Sequence, residues 1–412
     1  MNLRLLFFII FTQVAFSQNR TCGAEAYMEQ LKLNPVEWQK HLELQAKFEI
    51  ELAKLQNAES KTASPNTIYI PVAVHFPQVD PASSDKDCLK NLAQSQVNIL
   101  NADYNATNAD LSNWTPAVSA FYPGTTVGNL DVQFVIANSN HPAGSGLQAG
   151  ELAITFGSGF VSGDYDTTWA GYVNLVCKDA GSGILGYSPV GGSPSNGATV
   201  VISTSAFGSG EGCTGYVPSG SYNLGRTLTH ELGHFFNLEH TFKACTTASN
   251  CATAGDKVCD TPASNAAVFG CPAAGATTKC TVKTLTMNYM DYTNDACMYM
   301  FTTGQATRMK AFYNAIAPQI STNVLSSYAF LTRNFSIAPN PNNGTFTINL
   351  KEILNDYSIE VFDVSGRVVF DKNYNNTSSL QQNIELNPTQ KGVYFLNIKS
   401  ASTILTKKII IK

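Results

Sequence analysis

Residues 230 to 240 read His230-Glu231-Leu232-Gly233-His234-Phe235-Phe236-Asn237-Leu238-Glu239-His240 and contain three of the chain's six histidines. Residues i and i+4 of an α-helix lie one above the other on the same face, so His230 and His234 can share one metal ion. Glu231 follows the first ligand, where it can deprotonate an attacking water without binding the metal itself. The spacing predicts a zinc-dependent hydrolase with Glu231 as its general base.

The third histidine requires a turn in the chain. His240 follows His234 by six residues, which would place it on a different face of a straight helix. We predict a sharp turn at Asn237, because Asn is the residue other than Gly that best tolerates the left-handed conformation with positive φ. His240 is then the third metal ligand.

This extended pattern resembles the metzincin zinc proteases, whose motif is H-E-x-x-H-x-x-G-x-x-H and whose active site is floored by a Met-containing turn. Asn237 stands where that motif has Gly. Residues 288–297, Asn-Tyr-Met-Asp-Tyr-Thr-Asn-Asp-Ala-Cys, resemble the Met-turn. Together with His-Thr-Phe at 240–242 and Phe-Thr-Thr-Gly-Gln at 301–305 they are similar to the pappalysin family, over about residues 66 to 320.

The resemblance implies an α/β catalytic domain with a mixed sheet, an active-site helix and peptide-bond hydrolysis at zinc. It also implies that Met290 lies in the Met-turn and that Tyr292 stabilises the tetrahedral intermediate. Asp295 matches an aspartate at the base of the pocket for the side chain just after the scissile bond, where a carboxylate favours Arg or Lys. A helix-capping or merely solvated Asp295 is the alternative.

A second metal is implied near residue 256. The stretch Gly255-Asp256-Lys257-Val258-Cys259-Asp260-Thr261-Pro262 matches a family segment that binds calcium. Oxygens of Asp256 and Thr261, with backbone carbonyls, suit a hard cation. An Asp-rich turn without an ion is the alternative.

The N-terminus predicts export. Residues 1–4 form a short positive start, residues 5–11 are apolar but too short to span a bilayer, and residues 15–17 form a small-x-small cleavage site. We expect a signal peptide at residues 1–17 and no transmembrane helix in the mature chain.

Residues 18–65 precede the first convincing strand and are predicted to be a largely helical pro-segment, with a charged helical stretch from about Glu25 to Lys54. Arg-Thr-Cys-Gly at 20–23 resembles the cysteine-switch segments of metzincin zymogens, in which a thiolate can occupy the metal site. The alternative for Cys22 is a disulfide with another cysteine, such as Cys88.

Ten cysteines in an exported chain indicate disulfides. If Cys22 is the switch, one of Cys88, Cys177 and Cys213 stays unpaired. The remaining six lie between the zinc helix and the end of the Met-turn region: Cys245, Cys251, Cys259, Cys271, Cys280 and Cys297. Their spacing alone cannot select a pairing. The pappalysin resemblance implies Cys271 with Cys297 and Cys251 with Cys280, which leaves Cys245 with Cys259.

The protease domain is placed at residues 66–325. Apolar patterns predict strands at 68–76, with His75 as an ordinary strand residue, 132–137, 171–177 and 198–202, and helices at 86–102, 226–237 and 302–317. Residues 183–187 resemble the edge strand that metzincins pair with an extended substrate.

Charged residues make up 14% of the chain and its net charge is −4, so no nucleic-acid surface is predicted.

Residues 326–412 are predicted to be a linker followed by a small all-β sandwich, with strands at 346–350, 358–362, 368–370, 393–398 and 407–412. They resemble the C-terminal sorting domain of the type IX secretion system of Bacteroidetes. The match rests on Pro-Asn-Pro-x-x-Gly at 339–344, Ser-Gly-Arg at 365–367, Gly-Val-Tyr at 392–394 and Lys-Lys-Ile at 407–409. A carbohydrate-binding or adhesive sandwich is the alternative.

These patterns together predict a secreted zinc endopeptidase that acts on proteins or peptides, is made as a latent zymogen and prefers Arg or Lys just after the scissile bond. Its expected partner in export is the type IX machinery, and its expected location is outside the cell or on its surface, reached through the periplasm. Two alternative functions are a non-catalytic surface adhesin on a metzincin scaffold and a zinc amidase acting on cell-wall or small amides.

Overall fold

The computed structural model describes residues 21–57, 68–157, 160, 165–181, 183–325, 335–350, 356–364, 366–375, 381–386, 390–400 and 403–412. The predicted signal peptide lies outside these residues, as do the boundary between residues 65 and 66 and the first part of the C-terminal linker. Among the described residues, no helix combines the length and the apolar character needed to cross a membrane.

Six α-helices occur in the described residues: α1 Ala24–Lys32, α2 Pro35–Asn57, α3 Lys86–Tyr104, α4 Pro116–Ser119, α5 Arg226–Phe235 and α6 Thr303–Ile316. The strands of the protease part are β1 Ile68–Phe76, β2 Val132–Ile136, β3 Ile154–Phe156, β4 Val173–Cys177, β5 Gly186–Tyr187, β6 Thr199–Ile202, β7 Thr278–Lys279 and β8 Val282–Lys283. The predicted strands and helices of this part are therefore confirmed to within three residues, and the edge strand is shorter than expected.

The main sheet has the order β2-β1-β4-β6-β5, with β3 also paired to β1. All its pairs are parallel except β5 with β6, which is antiparallel, so the predicted mixed sheet is confirmed. Strand β1 is buried from Ile70 to Phe76, as expected for a parallel strand covered on both faces. His75 lies on it, and the Nδ1 atom of His75 lies 2.7 Å from the hydroxyl of Thr155.

The described residues of the predicted pro-segment form two helices rather than one. Asn34 accepts hydrogen bonds from the N–H groups of Val36 and Glu37, and Pro35 occupies the first position of α2. Both features are typical of a helix start, because Asn caps N–H groups and Pro lacks the N–H that the first turn leaves unused. The break between α1 and α2 therefore has a clear local cause.

The disulfides correct part of the prediction. Cys271 is paired with Cys297 as expected, but Cys245 is paired with Cys280 and Cys251 with Cys259, so the other two predicted pairs are wrong. A β-hairpin explains the pairing of Cys280 with Cys245, because Cys280 lies with positive φ in the turn between β7 and β8. Cys88 is paired with Cys213, and Cys177 is a buried thiol outside the disulfides.

The C-terminal part has seven described strands: β9 Phe335–Ala338, β10 Thr345–Leu350, β11 Asp356–Asp363, β12 Val368–Asn375, β13 Gln381–Glu385, β14 Gly392–Ser400 and β15 Thr403–Ile411. They form sheets with the orders β13-β10-β9 and β12-β11-β14-β15, whose buried side chains share one core. The predicted all-β sandwich is confirmed. Strands β9 and β13 were not predicted, since β9 is short and β13 contributes only Ile384 to the core.

Candidate metal centre and active site

Helix α5 carries the first two candidate ligands. All ten of its residues are buried, and His230 and His234 lie one turn apart on it. The helix ends at Phe235, and Asn237 adopts a φ of 70°, so the predicted turn is confirmed. The N–H of Asn237 donates to the carbonyl of His234 and that of Leu238 to the carbonyl of Gly233. The chain thereby leaves the helix and returns His240 to the face of the first two histidines.

The three imidazoles converge. The Nε2 atom of His240 lies 3.2 Å from that of His230 and 3.1 Å from that of His234. The Nδ1 atoms of His230 and His234 lie 2.6 and 2.7 Å from the carbonyl oxygens of Tyr289 and Leu238. A carbonyl only accepts, so each Nδ1 carries the proton and each Nε2 presents a lone pair. Lone pairs this close repel one another unless a cation binds between them, and the set therefore fits a divalent metal such as zinc.

Burial favours the neutral form of two of these histidines. Burial lowers the pKa of His234 well below its ordinary value and also lowers that of His240. Neutral imidazole is the form that binds metal. On its Nδ1 side His240 lies 3.6 Å from a carboxylate oxygen of Glu25 in the predicted pro-segment.

Cys22 lies at the same point. Its Sγ belongs with the three histidines to a group whose ligand atoms all lie within 4.8 Å of one another. The thiol also donates to Oε2 of Glu231 at 3.2 Å. Cys22 takes part in none of the four disulfides, so the alternative of a bond to Cys88 is wrong. The structure thus brings the predicted switch residue, the candidate base and the three candidate ligands together.

The Met-turn lies beneath the histidines. Met290 is fully buried, and a Cβ atom built on Gly233 would lie 2.6 Å from its sulfur, so α5 needs glycine there. The ring centroid of Tyr292 lies 5.0 Å from that of His240 and 5.8 Å from that of His230. Burial raises the pKa of the Tyr292 hydroxyl, which is also hydrogen-bonded by the backbone of Cys22. The hydroxyl therefore stays protonated and can act as a donor.

A buried charged network below the site was not predicted. Nε of Arg226 lies 3.1 Å from a carboxylate oxygen of Asp103, and the same oxygen accepts from the hydroxyl of Thr229. The guanidinium of Arg226 also lies over the ring of Tyr289, whose carbonyl contacts His230. Burial raises the pKa of Asp103 to about 7 although Arg226 opposes the shift. Asp103 lies just beyond the predicted helix at 86–102, three residues after the apolar Leu100, and this helical spacing was the available signal.

Asp295 is fully buried at the N-terminal end of α5. One of its carboxylate oxygens accepts from the N–H groups of Leu224 and Arg226, at 2.9 and 3.1 Å. Negative charge at this end of a helix is favourable, because the first N–H groups have no partner within the helix. The helix-capping alternative therefore describes its contacts, and its role in specificity stays a prediction.

The predicted calcium ligands contact each other. The hydroxyl of Thr261 donates to Asp256 at 2.6 Å, and the other carboxylate oxygen accepts from the N–H of Val258 at 3.2 Å. Burial raises the pKa of Asp256 to about 7. The two residues are thus brought together as expected, and the calcium ion itself stays a prediction.

Strand β5 borders the site and is paired with the predicted pro-segment. The N–H of Gly23 donates to the carbonyl of Gly186 at 2.9 Å, and the N–H of Leu185 to that of Thr21 at 3.1 Å. A Cβ atom on Gly186 would lie 2.8 Å from Cγ of Glu231, so the strand passes directly beside the candidate base. An extended substrate would need the same backbone groups.

Comparisons with known proteins agree with this geometry. Residues 169–314 match the model of a peptidase family described as pregnancy-associated plasma protein-A, and residues 336–412 match that of the secretion system C-terminal sorting domain. An extracellular metalloprotease of Podospora anserina is 39% identical over 153 residues, which are 35% of this chain and 47% of the relative. The chain thus spans about half the length of this curated relative.

Two solved structures are similar over most of their length. A promirolysin mutant from Tannerella forsythia is 29% identical, with a TM-score of 0.53, over 73% of this chain and 97% of that one. Mature mirolysin from the same organism, in complex with a cleaved peptide, is 30% identical, with a TM-score of 0.46, over 62% of this chain and 96% of that one.

Proposed function

Because the chain belongs to the pappalysin family of metalloproteases, we propose that it is a secreted zinc endopeptidase made as a latent zymogen. The observation that carries the proposal is the convergence of three Nε2 atoms with Glu231 and with the sulfur of Cys22. Its sorting domain indicates secretion or cell-surface localisation in Bacteroidetes. The expected substrates are proteins or peptides, and the expected partner in export is the type IX machinery.

In the proposed site, His230, His234 and His240 would hold zinc through their Nε2 atoms. A zinc ion bound there would polarise the scissile carbonyl and make a nearby water more acidic. Glu231 accepts a proton from the attacking water and later returns it to the leaving amine. The hydroxyl of Tyr292 donates a hydrogen bond to the carbonyl oxygen as negative charge develops on it.

The pro-segment would keep the enzyme latent, because it occupies the groups that catalysis and substrate binding need. Cys22 places its sulfur beside Glu231, its backbone engages the Tyr292 hydroxyl, and Gly23 uses the carbonyl of Gly186 on the edge strand. A Cβ atom on Gly23 would lie 2.9 Å from Cβ of Tyr187, so the pro-segment fits closely here. Metal, base, oxyanion donor and substrate strand are blocked together, and release of the pro-segment would free all four.

The other assignments are also proposals. Asp295 supports a preference for Arg or Lys just after the scissile bond. Asp256 and Thr261 would contribute to a calcium site, which their buried oxygens favour. The proposed units are the signal peptide at 1–17, the pro-segment at 18–65, the protease domain at 66–325 and the linker with sorting domain at 326–412.

The proposal is tested by mass spectrometry of peptides released from a denatured protein mixture. Zinc-loaded protein freed of its pro-segment is compared with a Glu231→Ala variant and with chelator-treated enzyme. We expect cleavage by the wild type and a loss of about 10²–10⁴-fold in the variant, as for removal of a general base. An excess of Arg or Lys after the cuts would support Asp295 as the pocket base.

Glu239→Ala is the matched control, since Glu239 lies in the same segment but pairs with Lys243 at 3.3 Å. It should cleave nearly as well as the wild type. If processed wild-type protein binds zinc and cuts nothing, the chain is a non-catalytic binding protein instead.

A further inference from the structure

Helix α2 contacts the protease domain at a site separate from the histidines. Its buried side chains Leu44 and Phe48 lie one turn apart and face α6. Phe48 is completely buried, with its ring centroid 6.0 Å from that of Phe312. The guanidinium of Arg308 lies 4.6 Å from the centre of the same ring. Because Phe48 lies between an aromatic ring and a cation, its contact is both apolar and cation–π in character.

The same face of α2 contacts the turn before the third histidine. The side-chain amide of Asn237 donates to Oε1 of Gln45 at 3.0 Å, and Nε of Arg308 donates to the carbonyl of Asn237 at 2.9 Å. On its other side Gln45 lies against Gly191, where a Cβ atom would come within 2.5 Å of Nε2 of Gln45. The N–H of Gly191 in turn donates to the carbonyl of His234. Gln45 therefore lies between two segments that are bonded to the end of α5.

Asn237 gains a second role from this contact. The family motif has Gly at this position, and Gly supplies the same positive φ but no side chain. The amide of Asn237 is used for a hydrogen bond to the pro-segment, so the departure from the motif adds a contact that Gly could not make.

We propose that Gly191, Asn237, Arg308 and Phe312 form a second binding site for the pro-segment, and that Gln45 and Phe48 of α2 occupy it to hold Cys22 at the metal site. The ligand is an amphipathic helix with Gln and an aromatic residue three positions apart. Only residues 33 and 34 separate α1 from α2. A bound α2 therefore keeps Cys22 at a high effective concentration beside the histidines. The inference rests on the proposed function for the identity of residues 18–65 as a pro-segment.

The test is the rate at which Cys22 reacts with iodoacetamide in the zinc-loaded full chain. All proteins carry Glu231→Gln, so that no self-cleavage removes the pro-segment, and mass spectrometry distinguishes Cys22 from Cys177. Phe48→Ala should speed the alkylation of Cys22 by at least about tenfold, since truncating a buried Phe removes a large apolar contact. Gln45→Ala should speed it by about threefold to tenfold, the effect of one hydrogen bond. Ile50→Ala is the control, because Ile50 is on the same helix but 58% exposed.

A variant on the protease side of the contact separates loss of this hydrogen bond from misfolding of α2. Asn237→Gly keeps the backbone conformation and removes only the amide that reaches Gln45. It should accelerate alkylation as much as Gln45→Ala does, and the double variant should react no faster than either single one, because both remove the same bond. Zinc content and thermal unfolding are recorded for each protein.

Equal alkylation rates in Phe48→Ala, Gln45→Ala, Asn237→Gly and Ile50→Ala would overturn the inference. The readout needs no proteolysis. A wild type that cuts no substrate therefore refutes the proposed function without affecting this test, and equal rates leave the proposed function intact.

Discussion

Helix α5, which carries His230 and His234, and the cysteine-rich segment at residues 245–297 are close in sequence but are held in place differently. Helix α5 is buried along its whole length, and its histidines are positioned by regular helix geometry and by hydrogen bonds to carbonyls. The cysteine-rich segment has only the two-residue strands β7 and β8 and a short 3₁₀-helix, with three disulfides across it. Regular helix geometry and hydrogen bonds therefore hold the candidate ligands in place, whereas disulfides hold the neighbouring cysteine-rich segment.

The largest expected effect concerns the helix. His234→Ala removes one of three ligands that the spacing of α5 places together, so zinc affinity should fall by at least about a hundredfold, more than the usual loss of a supporting residue. Competition with a zinc-sensitive dye measures the affinity. His141→Ala is the control, since His141 contacts only the carbonyl of Glu151 among the contacts described for its ring. Wild-type affinity in His234→Ala would show that α5 does not define the site.

The disulfides provide a smaller and graded effect. The Cys245–Cys280 bond spans 35 residues and the Cys251–Cys259 bond spans 8. Replacing each pair by Ser should lower the free energy of unfolding by about 4 and about 2.5 kcal/mol respectively, since the longer loop gains more entropy on opening. Denaturant titration monitored by circular dichroism measures both values.

The same variants test the pairing itself. Denatured protein with Cys245→Ser and Cys280→Ser should show only the thiols of Cys22 and Cys177. Two additional thiols, from Cys251 and Cys259, would contradict the pairing in the structure.

The smallest effect concerns Asp256 in the cysteine-rich segment. Its folded pKa of about 7 is raised from 3.8 by burial, so the folded state binds more protons than the unfolded state between these values. Without calcium, stability should therefore fall as pH rises from about 4 to 7. Asp256→Asn should then be more stable than the wild type at pH 8 by roughly 1 kcal/mol, or about 2–4 °C in Tm. The gain is small because Asn has only one oxygen to accept the two hydrogen bonds that Val258 and Thr261 donate to the carboxylate.

Calcium should make the wild type more stable than Asp256→Asn. Added calcium should raise the Tm of the wild type at pH 8 and leave that of Asp256→Asn unchanged, as scanning calorimetry can measure. If calcium raises both equally or neither, Asp256 does not bind the ion, and the segment is an Asp-rich turn held by its disulfides alone.

Prediction from sequence succeeded where the structure follows the regular spacing of side chains along a single helix or strand. Spacing and apolar pattern predicted the turn at Asn237 and a helix at 226–237, which ends at Phe235. They also predicted strands β1, β2, β4 and β6 of the main sheet, but not the three-residue strand β3. The break at Asn34-Pro35 had a local signal that the prediction did not use. The polar strand at 381–385 had almost none, because its place is decided by pairing with β10.

The sequence by itself determined most strands and helices of the protease part, the sorting domain and the compartment, and it predicted the metal-binding set and the pro-segment. Histidine spacing, a cysteine-rich exported chain and alternating strands each depend on residues that are near one another in the chain. Only the tertiary structure decided the pairing of Cys245, Cys251, Cys259 and Cys280, the buried pair Arg226 and Asp103, and the contact of Gln45 with Asn237. These contacts join distant residues, and their formation depends on the path of the whole chain rather than on any local period.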